Sequence, residues 1–341
     1  MAATLADVAA RAGVSTATVS RVLNGNYPVS AVTRERVHRA LGELDYVVNG
    51  PARALAAATT EVIGVIVNDV SDPFFSIQAS GTQWEAASAD LLAVICNTAG
   101  SPSDELKYIS MLLRQRVRGV VLTGGSREEP EHLRAITKLI GQALSAGTKV
   151  VMCGRPAPPD VDVPCVAFDN EGGARALTRH VLTMGHKRIA YVAGPAGNST
   201  TTARLAGHGK ALEEGEVETS VVVHGDFSRA SGFDAAMELA DSGVTAIIAG
   251  NDLMALGVIA ALRQRGIRVP QDISVAGFDD LPAAVDVVPA LTTVRLPLDQ
   301  GARRAGRIAS GVEVVTGPTK LWMPAELMVR ESVAPPRRQT Q

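Results

Sequence analysis

The fold of the N-terminal part of the chain is decided by the stretch LADVAARAGVSTATVSRVLNG, residues 5–25. It holds two short segments of helical pattern on either side of Gly13, and the chain continues into NGNYP, a turn-forming sequence. Thr4 stands three residues before Asp7, the spacing of a capping box at the start of a helix. Apolar residues then recur at helical spacing at Leu5, Val8, Ala9 and Ala12. The stretch therefore predicts two short helices joined by a glycine turn.

The second of these helices has two contrasting faces. Ser15 is placed to cap its start. One face is apolar and is expected to pack on the first helix through Val19, Val22 and Leu23. The opposite face carries small side chains and a single arginine, at Thr16, Ala17, Ser20 and Arg21. A third helix, in residues 30–46, presents apolar residues that close a three-helix core at Val37, Ala40, Leu41 and Leu44.

The small side chains of the outer face predict contact with DNA, because such a helix can lie deep in the major groove. Arg21 has the length and the planar guanidinium needed to reach a guanine edge. Thr16 and Ala17 are placed for base edges or a thymine methyl group, and Ser20 and Thr18 are natural phosphate donors. We assign DNA binding in this domain to Thr4, Ser15, Thr16, Ala17, Thr18, Ser20, Arg21 and Asn24. The alternative interpretation is a helical cap whose outer face has no function.

Composition permits this interpretation without arguing strongly for it. The 341 residues carry 33 basic and 35 acidic side chains, so a basic signature over the whole chain is absent. Residues 1–58 hold six arginines and four acids, a mild positive excess.

The three cysteines share no metal-ligand spacing, and we expect buried free thiols in a reducing compartment. No signal peptide or long apolar segment is present, and the sequence predicts a cytoplasmic protein with no membrane association.

From residue 61 onward the pattern changes to short apolar runs that alternate with amphipathic helices. Nine such runs predict strands of parallel sheets covered on both faces: VIGVIVN, LLAVICN, GVVLTGG, KVVMCG, CVAFDN, RIAYVAG, TSVVVHGD, AIIAGND and ISVAGFDD. Nine strands are too many for a single sheet in a domain of this length. We therefore predict two doubly wound α/β lobes, with the connection between them in the proline-rich stretch at residues 155–164. Ligands of such sheets bind beyond the carboxyl ends of the strands.

The linker NGPARALAAATT, residues 49–60, predicts a helix that forms only when it is docked. Pro51 suits a first helical turn and alanine is the best helix former, yet so short a helix is not stable alone in water. Leu55 is the one large apolar side chain and a candidate wedge between base steps in the minor groove, and Arg53 is a candidate phosphate or groove contact. The alternative is a passive tether with Leu55 resting on the core.

These blocks together resemble the lactose/galactose repressor (LacI/GalR) family. The resemblance rests on TLADVAARAGVSTATVSRVLNG, VSAVTRERV and PARALA in the N-terminal part, and on DPFF, RVRGVVL, FDNEGG, MGHKRIAYVAGP, ARLAGH, GNDLMALG, RVPQDISVAGFDD and PALTTVRLP further on. It implies an all-α helix-turn-helix head at residues 1–48, a hinge helix at 49–60, and a two-lobed, periplasmic-binding-protein-like core at 61–333. Residues 334–341 are expected to be a disordered tail.

The resemblance also implies an effector in the cleft between the lobes. The matching positions are Phe74, Phe75, Asn97, Arg155, Phe168, Asn198, Arg204, Phe227, Asn251 and Asp279. Their chemistry suits a polyol, since bidentate polar groups bind hydroxyls and phenyl faces cover C–H surfaces. Arg155 has an alternative role as an ion pair between the lobes, and Asp279 as a helix cap. Purine-binding relatives have a second arginine where this chain has Asn198, which favours a neutral sugar or polyol.

The family implies a ligand-responsive repressor that binds a pseudo-palindromic operator in double-stranded DNA as a homodimer. Two other classes of protein are alternatives to a repressor. A solute-binding protein of sugar transport shares the core, but it needs a signal peptide and lacks the DNA-facing helix. An enzyme is disfavoured because neither a nucleotide-binding glycine motif nor a nucleophile motif is complete, and the six histidines lack metal spacing. No metal or cofactor is predicted, and His180 and His186 are expected at the surface.

Overall fold

A computed structural model describes residues 3–24, 28–46, 60–215, 217, 219–317 and 319–337, with the side chain of Asn24 excepted. The chain divides into two compact units, residues 1–60 and 61–341. The predicted hinge contacts Arg53 and Leu55 lie outside the described residues. Within the described residues, no helix combines the length and the apolar content needed to cross a bilayer.

The first unit contains the three predicted helices, α1 (Leu5–Ala12), α2 (Thr16–Asn24) and α3 (Ala31–Glu43). Thr4 and Asp7 form the complete capping box at the start of α1. Gly13 ends α1 with a φ of 63°, a left-handed conformation that glycine adopts without steric cost. The turn between α1 and α2 therefore follows directly from the sequence.

The core of the first unit is small and apolar. Its fully buried residues come from all three helices and are Val8, Ala9, Ala12, Val19, Val37 and Ala40. Around this core, Arg36 donates to the carbonyl of Ala12, and Arg11 pairs with Glu43 across 2.5 Å. The apolar core, one ion pair and the Arg36 hydrogen bond thus fix α1 against α3, and the outer face of α2 stays exposed.

The second unit holds two parallel sheets, which confirms the predicted two-lobed α/β core. All nine predicted runs are strands: β1 (Val62–Val67), β2 (Leu92–Asn97), β3 (Gly119–Thr123), β4 (Lys149–Cys153), β5 (Cys165–Phe168), β6 (Arg188–Ala193), β7 (Thr219–His224), β8 (Ala246–Ala249) and β9 (Ser274–Ala276). Three short strands were not predicted: β10 (Thr293–Arg295), β11 (Lys320–Met323) and β12 (Glu326–Met328). The first lobe has the order β11-β5-β4-β3-β1-β2 and the second β7-β6-β8-β9, while β10 and β12 form an antiparallel pair.

Helices cover both faces of these sheets. They are α4 (Pro73–Ser88), α5 (Pro102–Arg114), α6 (Pro130–Ser145), α7 (Asn170–Thr183), α8 (Ser199–Glu214), α9 (Arg229–Leu239), α10 (Asp252–Gln264), the short α11 (Ala283–Asp286) and α12 (Leu298–Ser310). Most of them begin just after a strand ends, so their first turns gather at the carboxyl edges of the sheets. That edge is where the sequence places the ligand cleft.

The predicted connection between the lobes at residues 155–164 is wrong. This proline-rich stretch joins β4 to β5, which pair with each other in the first sheet. Within the described residues the chain instead crosses between the lobes three times: between β5 and α7, between β10 and α12, and between β11 and β12. The first lobe is consequently completed by α12 and β11, which come from the C-terminal part of the chain.

The end of the chain differs from the predicted tail. The carbonyl of Ala334 accepts hydrogen bonds from His186 and Ser274, and Arg337 pairs with Asp272 at 2.9 Å. Residues 338–341 lie outside the described part. His186 is buried by these contacts, so its predicted surface position is wrong. His180 is only half-buried.

Two glycines allow the close packing of α9 on α10. A Cβ atom added at Gly257 would come within 2.0 Å of the carbonyl oxygen of Arg229 and 2.7 Å of the Phe233 nitrogen. A Cβ at Gly232 would lie 2.2 Å from the carbonyl oxygen of Met254. Only a residue without a side chain fits at either crossing point, so the second lobe depends on both.

Candidate DNA interface and ligand cleft

The outer face of α2 is available to a partner, as the sequence predicts. Thr16, Ala17 and Arg21 are exposed, and Thr18 and Ser20 are half-buried. Val19, on the opposite face, is completely buried against α1 and α3. The outer face of α2 therefore carries small side chains and one long cationic side chain, that of Arg21.

Two of the residues assigned to DNA already stabilise helix starts. The Oγ of Ser15 accepts the Thr18 N–H at 3.2 Å, and the two hydroxyls lie 2.9 Å apart. The Thr4 hydroxyl donates to the Asp7 carboxylate at 2.6 Å. The Ser15 bond caps the start of α2, and the Thr4 bond caps the start of α1. The one hydroxyl proton of Thr4 is donated to Asp7, so the predicted Thr4–phosphate contact requires that bond to break.

A cavity of about 610 Å³ lies between the two lobes, beyond the carboxyl ends of the strands. It is lined by eight of the ten residues that the sequence assigned to the effector: Phe74, Phe75, Arg155, Asn198, Arg204, Phe227, Asn251 and Asp279. Its volume falls within the range of small-molecule pockets, roughly 300–1,000 Å³. The predicted residues therefore converge on one concave site.

Asn97 and Phe168 do not line this cavity. Asn97 ends β2, the outermost strand of the first sheet, and its side chain is exposed. Phe168 is buried in the core, where its ring lies close to Gly154 and Gly301. Both residues end strands, but the side chain of a last strand residue projects to one face of the sheet rather than beyond its edge.

Arg204 is the most fully bonded side chain of the cleft. Its Nη2 donates to Asp279 Oδ1 at 2.7 Å, its Nε donates to Asn170 Oδ1 at 2.9 Å, and its Nη1 donates to the carbonyl of Gly250. The guanidinium also stacks on the ring of Phe278, with its carbon 3.8 Å from the ring centre. All three nitrogens are thus engaged, so Arg204 is rigidly held and its charge is paired.

Asp279 has a strained backbone conformation and a carboxyl group whose pKa is raised by its surroundings. Its φ of 111° is a strained conformation for an L-residue, and such strain often marks functional positions. Burial, with a smaller contribution from the nearby Asp72, raises the pKa of its carboxyl to about 7 against the opposing effect of Arg204. Near neutral pH this carboxyl can therefore accept a hydrogen bond from a hydroxyl or donate one to it.

The first lobe contributes a second buried ion pair, between Arg155 and Glu105. Arg155 Nη1 lies 2.5 Å from Glu105 Oε1, and His132 Nε2 lies 2.8 Å from the other carboxylate oxygen. All three side chains are buried and line the cavity. Since Glu105 and Arg155 both belong to the first lobe, the alternative of an ion pair between the lobes is not what the structure contains.

Helix caps place the two asparagines. Asn251 caps α10 by accepting the Met254 N–H, and its Nδ2 donates to the carbonyl of Phe227. Asn198 caps α8 by accepting the N–H groups of Thr200 and Thr201. Each asparagine therefore sits at a helix start because of its backbone bonds, and the helix start brings it to the cleft.

Aromatic rings come from both lobes. Phe74 and Phe75 begin α4 and pack edge to face, with ring centres 5.0 Å apart. Phe227, from the second lobe, has a φ of 70° and lies directly over Gly194, where an added Cβ would come within 2.1 Å of the ring. The cleft thus offers apolar faces beside its polar groups, which is the combination a sugar requires.

Sequence reasoning missed several other residues of the cavity wall. Asn68, Asp69 and Asp72 follow β1, and Glu105 and His132 lie in α5 and α6. The first three could have been found, since VIGVIVND ends a strand in polar residues and DPFF is a helix-start pattern. Glu105 and His132 carry no such pattern, because each is a polar residue inside an ordinary helix.

Two family models match the chain. The model for "Bacterial regulatory proteins, lacI family" matches residues 4–49, and the model for "Periplasmic binding proteins and sugar binding domain of LacI family" matches residues 60–314. The chain belongs to the LacI family. Its N-terminal helices are the DNA-binding module of that family, and its two lobes are the family's ligand-binding core.

Relatives of this LacI-family protein match it over almost their whole length. It is 34% identical to the transcriptional regulator DegA of Bacillus subtilis, over 98% of this chain and 99% of that one. It is 36% identical to the regulator CelR of Thermobifida fusca, over 96% and 98% of the two chains. These relatives are transcriptional regulators rather than enzymes, and the LacI-family chain is a ligand-responsive transcription regulator.

Solved structures agree with this family assignment. A complex of CelR with cellobiose superimposes with a TM-score of 0.70 at 34% identity and covers 97% of this chain and 99% of that one. A lac repressor dimer bound to operator and an anti-inducer superimposes with a TM-score of 0.81 at 29% identity, over 98% and 100% of the chains. The LacI-family fold therefore extends over the head and both lobes.

Proposed function

We propose that this regulator is a homodimeric repressor that binds a pseudo-palindromic operator and responds to an uncharged sugar or polyol in its interlobe cleft. The observation that carries the proposal is the convergence of Arg204, Asp279, Asn251 and three phenylalanines on one cavity, in a chain whose head presents a smooth helix face. Because the head acts on DNA, the proposed place of action is the bacterial cytoplasm.

The charges of the cleft favour an uncharged ligand. Both buried arginines are already paired with carboxylates, Arg204 with Asp279 and Arg155 with Glu105. To bind either of these arginines, an anionic ligand would have to break its pair and leave a buried carboxylate without its partner, which is costly. The two other arginines of the cavity wall, Arg127 and Arg229, are exposed to solvent. A polyol hydroxyl needs only the remaining lone pairs of Asp279 and Asp72. The cellobiose complex of CelR supports this class of ligand.

Exposed apolar residues support the homodimer. Edge strand β2 exposes Leu92, Val94 and Ile95, and the exposed Val222 lies on β7, the edge strand of the second sheet. Val288 is 89% exposed. Apolar edge strands of this kind invite pairing with another chain, and the lac repressor relative is a dimer in its operator complex. We infer that a second copy covers these edges.

The DNA contacts are proposed as the sequence assigned them. Arg21 reads a base edge from the outer face of α2, with the small neighbours Thr16 and Ala17 allowing close approach. In the hinge, Leu55 is proposed as the minor-groove wedge and Arg53 as a backbone contact. A ligand that binds one arrangement of the lobes better than another shifts their populations and changes operator affinity by linkage.

Replacement of Arg21 tests base reading directly. Operators are first selected from random duplexes, and the affinities of wild type and Arg21→Ala are then compared on the selected and on scrambled duplexes. One bidentate arginine–guanine contact contributes about 1–3 kcal/mol of discrimination, so the variant should lose roughly fivefold to 150-fold on the operator and much less on scrambled DNA. Equal losses on both duplexes would contradict base reading.

Arg39→Ala is the matched control, since Arg39 is an exposed arginine on α3. It should weaken binding to both duplexes by similar, small factors.

The same binding assay is repeated with neutral sugars, sugar phosphates and nucleobases. A change in operator affinity with neutral sugars is expected, whereas a response confined to nucleobases would contradict the proposed ligand class and leave operator binding intact.

A further inference from the structure

The two lobes are hydrogen-bonded to each other away from the three chain crossings. Residues 126–128, between β3 and α6 of the first lobe, run antiparallel to residues 197–199, which lead into α8 of the second lobe. The N–H of Glu128 donates to the carbonyl of Gly197 at 2.9 Å, and the N–H of Ser199 donates to the carbonyl of Ser126 at 2.9 Å. A short two-stranded bridge thus joins the lobes.

Side chains reinforce the bridge at both ends. The N–H of Ser126 donates to Ser199 Oγ at 2.9 Å, and Thr202 Oγ1 donates to Glu128 Oε2 at 2.9 Å. With the two backbone bonds, four hydrogen bonds therefore cross between the lobes at this place. The lobes cannot move apart here unless all four break.

The register of the bridge fixes the distance between its central residues. Arg127 and Asn198 are directly opposite, and the two backbone bonds lie on either side of them. This is the arrangement of a non-hydrogen-bonded antiparallel pair, in which the Cα atoms are about 4.5 Å apart. Such a separation lies within the range that a disulfide spans, roughly 4.4–6.8 Å.

The bridge also forms part of the cavity wall. Arg127, Gly197, Asn198 and Thr200 line the cavity, whereas Thr202 does not. A ligand in the cleft therefore lies beside a contact that closes when the lobes approach. The bridge contains no residue of the Arg204–Asp279 pair, and its four hydrogen bonds all join one protein group to another.

We propose that residues 126–128 and 197–202 form an interlobe latch, which holds the cleft closed on this side by protein contacts alone. Entry and release of the effector then require the latch to open, so the latch sets both the exchange rate and the closed population of the ligand-free protein. This device goes beyond the proposed ligand class, because it operates whatever the effector is.

Disulfide trapping tests whether the latch forms in solution. Arg127→Cys and Asn198→Cys are combined in the full chain with Cys96→Ser, and the ligand-free protein is exposed to a mild oxidant. The matched control replaces Arg127→Cys by Lys138→Cys, on the exposed side of α6 more than two turns from its start. The cysteines at 127 and 198 should cross-link more than about tenfold faster than the control pair at 138 and 198. The reason is that the Cα atoms of the first pair lie within the range that a disulfide spans, whereas those of the control pair do not. Equal rates would overturn the proposal.

A second variant keeps the test independent of the cysteines. Thr202→Val removes one latch bond without touching the cavity, and a single hydrogen bond corresponds to a shift of about threefold to tenfold in the ratio of closed to open protein. Small-angle scattering of the ligand-free protein should show a larger radius of gyration. Thr202→Ser should restore the wild-type value, and Thr183→Val, which removes a hydroxyl at the end of α7, should leave it unchanged. An unchanged radius for Thr202→Val would overturn the latch.

Discussion

Glu105 shows how a charged side chain is accommodated inside the first lobe. Burial by itself raises the pKa of its carboxyl, but Arg155 and His132 outweigh that effect and hold the pKa at about 2. The carboxylate accepts a hydrogen bond on each oxygen, so its charge is compensated on both sides. A buried charge of this kind stabilises the native state only as long as its partners remain.

Replacement of Glu105 by glutamine should destabilise the protein and change its response to acid. The lowered pKa means that Glu105 contributes stability above pH 4.5, and this contribution is lost as the pH falls towards 2. Glu105→Gln leaves Arg155 buried without a counter-charge. The free energy of unfolding, measured with urea at pH 7, should therefore be about 3–5 kcal/mol lower than in wild type.

The difference between wild type and Glu105→Gln should shrink as the pH is lowered from 4.5 to 2. Exposed Glu213, changed to glutamine, is the control and should alter stability by less than about 0.5 kcal/mol. A constant difference at every pH would show that the pKa of Glu105 is the same in the folded and unfolded protein, and would contradict its lowering by Arg155 and His132.

Some residues of the cleft could be found from the sequence and others could not. Asn251 and Asp279 stand where a buried strand gives way to a polar residue, and the family resemblance supplied Arg204. Glu105 and His132 meet only because α5 and α6 pack side by side, and nothing in either helix marks that contact. The family resemblance also supplied Asn97 and Phe168, but these two residues end strands with side chains that project to a face of the sheet, and neither lines the cavity.

The helix pair α9 and α10 depends on glycine at its crossing points. Gly257 lies against the backbone of α9, and Gly232 lies against the backbone of α10. Contact between two backbones leaves nothing that can rotate away from an added methyl group. The pair must therefore separate, or one helix must shift, to admit a larger residue.

Gly257→Ala should destabilise the second lobe by about 1–3 kcal/mol, the usual cost of overpacking. Gly141→Ala is a matched control, because Gly141 lies within α6 and an added Cβ meets nothing within 4 Å. Since alanine favours a helix over glycine by roughly 1 kcal/mol, the control should stabilise the protein slightly. Thermal unfolding measures both, and a stabilised Gly257→Ala would contradict the close packing described for this pair.

Most strands were predictable and one connection was not. The short predicted strands β5, β8 and β9 contain no charged residue and lie in apolar runs, whereas β10, β11 and β12, which are equally short, each contain a charged residue. The prolines of residues 155–164 correctly indicate an irregular segment. They do not indicate what it joins, because prolines suit a loop between neighbouring strands as well as a link between lobes.

Each of the two parallel sheets ends in an edge strand that no other described strand covers, β2 in the first sheet and β7 in the second. On β2, Leu92 and Val94 are two residues apart and therefore project to the same face, and both are exposed. On the second sheet, Val222 is exposed on β7. Apolar side chains on two edge strands form the surface on which the proposed homodimer depends.

Charges placed on this surface should separate the dimer. Leu92→Lys combined with Val94→Lys introduces two like charges on each copy, so sedimentation should show a monomer in place of a dimer. Operator affinity should fall with it, while circular dichroism stays unchanged. Leu144→Lys, at an exposed position on α6, is the control and should remain dimeric. A dimeric double variant would place the interface elsewhere.

The order of the chain through the lobes has a consequence for how the protein is made. On the ribosome, β1 to β5 emerge early, yet their sheet lacks its outer strand and the helix that packs on α4 until β11 has been synthesised. Nearly the whole polypeptide must therefore leave the exit tunnel before the first lobe can reach its final form. The four-stranded sheet of the second lobe has all its strands once β9 is made, but its β10–β12 pair and the bonds from Ala334 to His186 and Ser274 also wait for the end of the chain. A pulse-labelled nascent chain should therefore gain full protease resistance in both lobes only when residues up to 337 have left the tunnel.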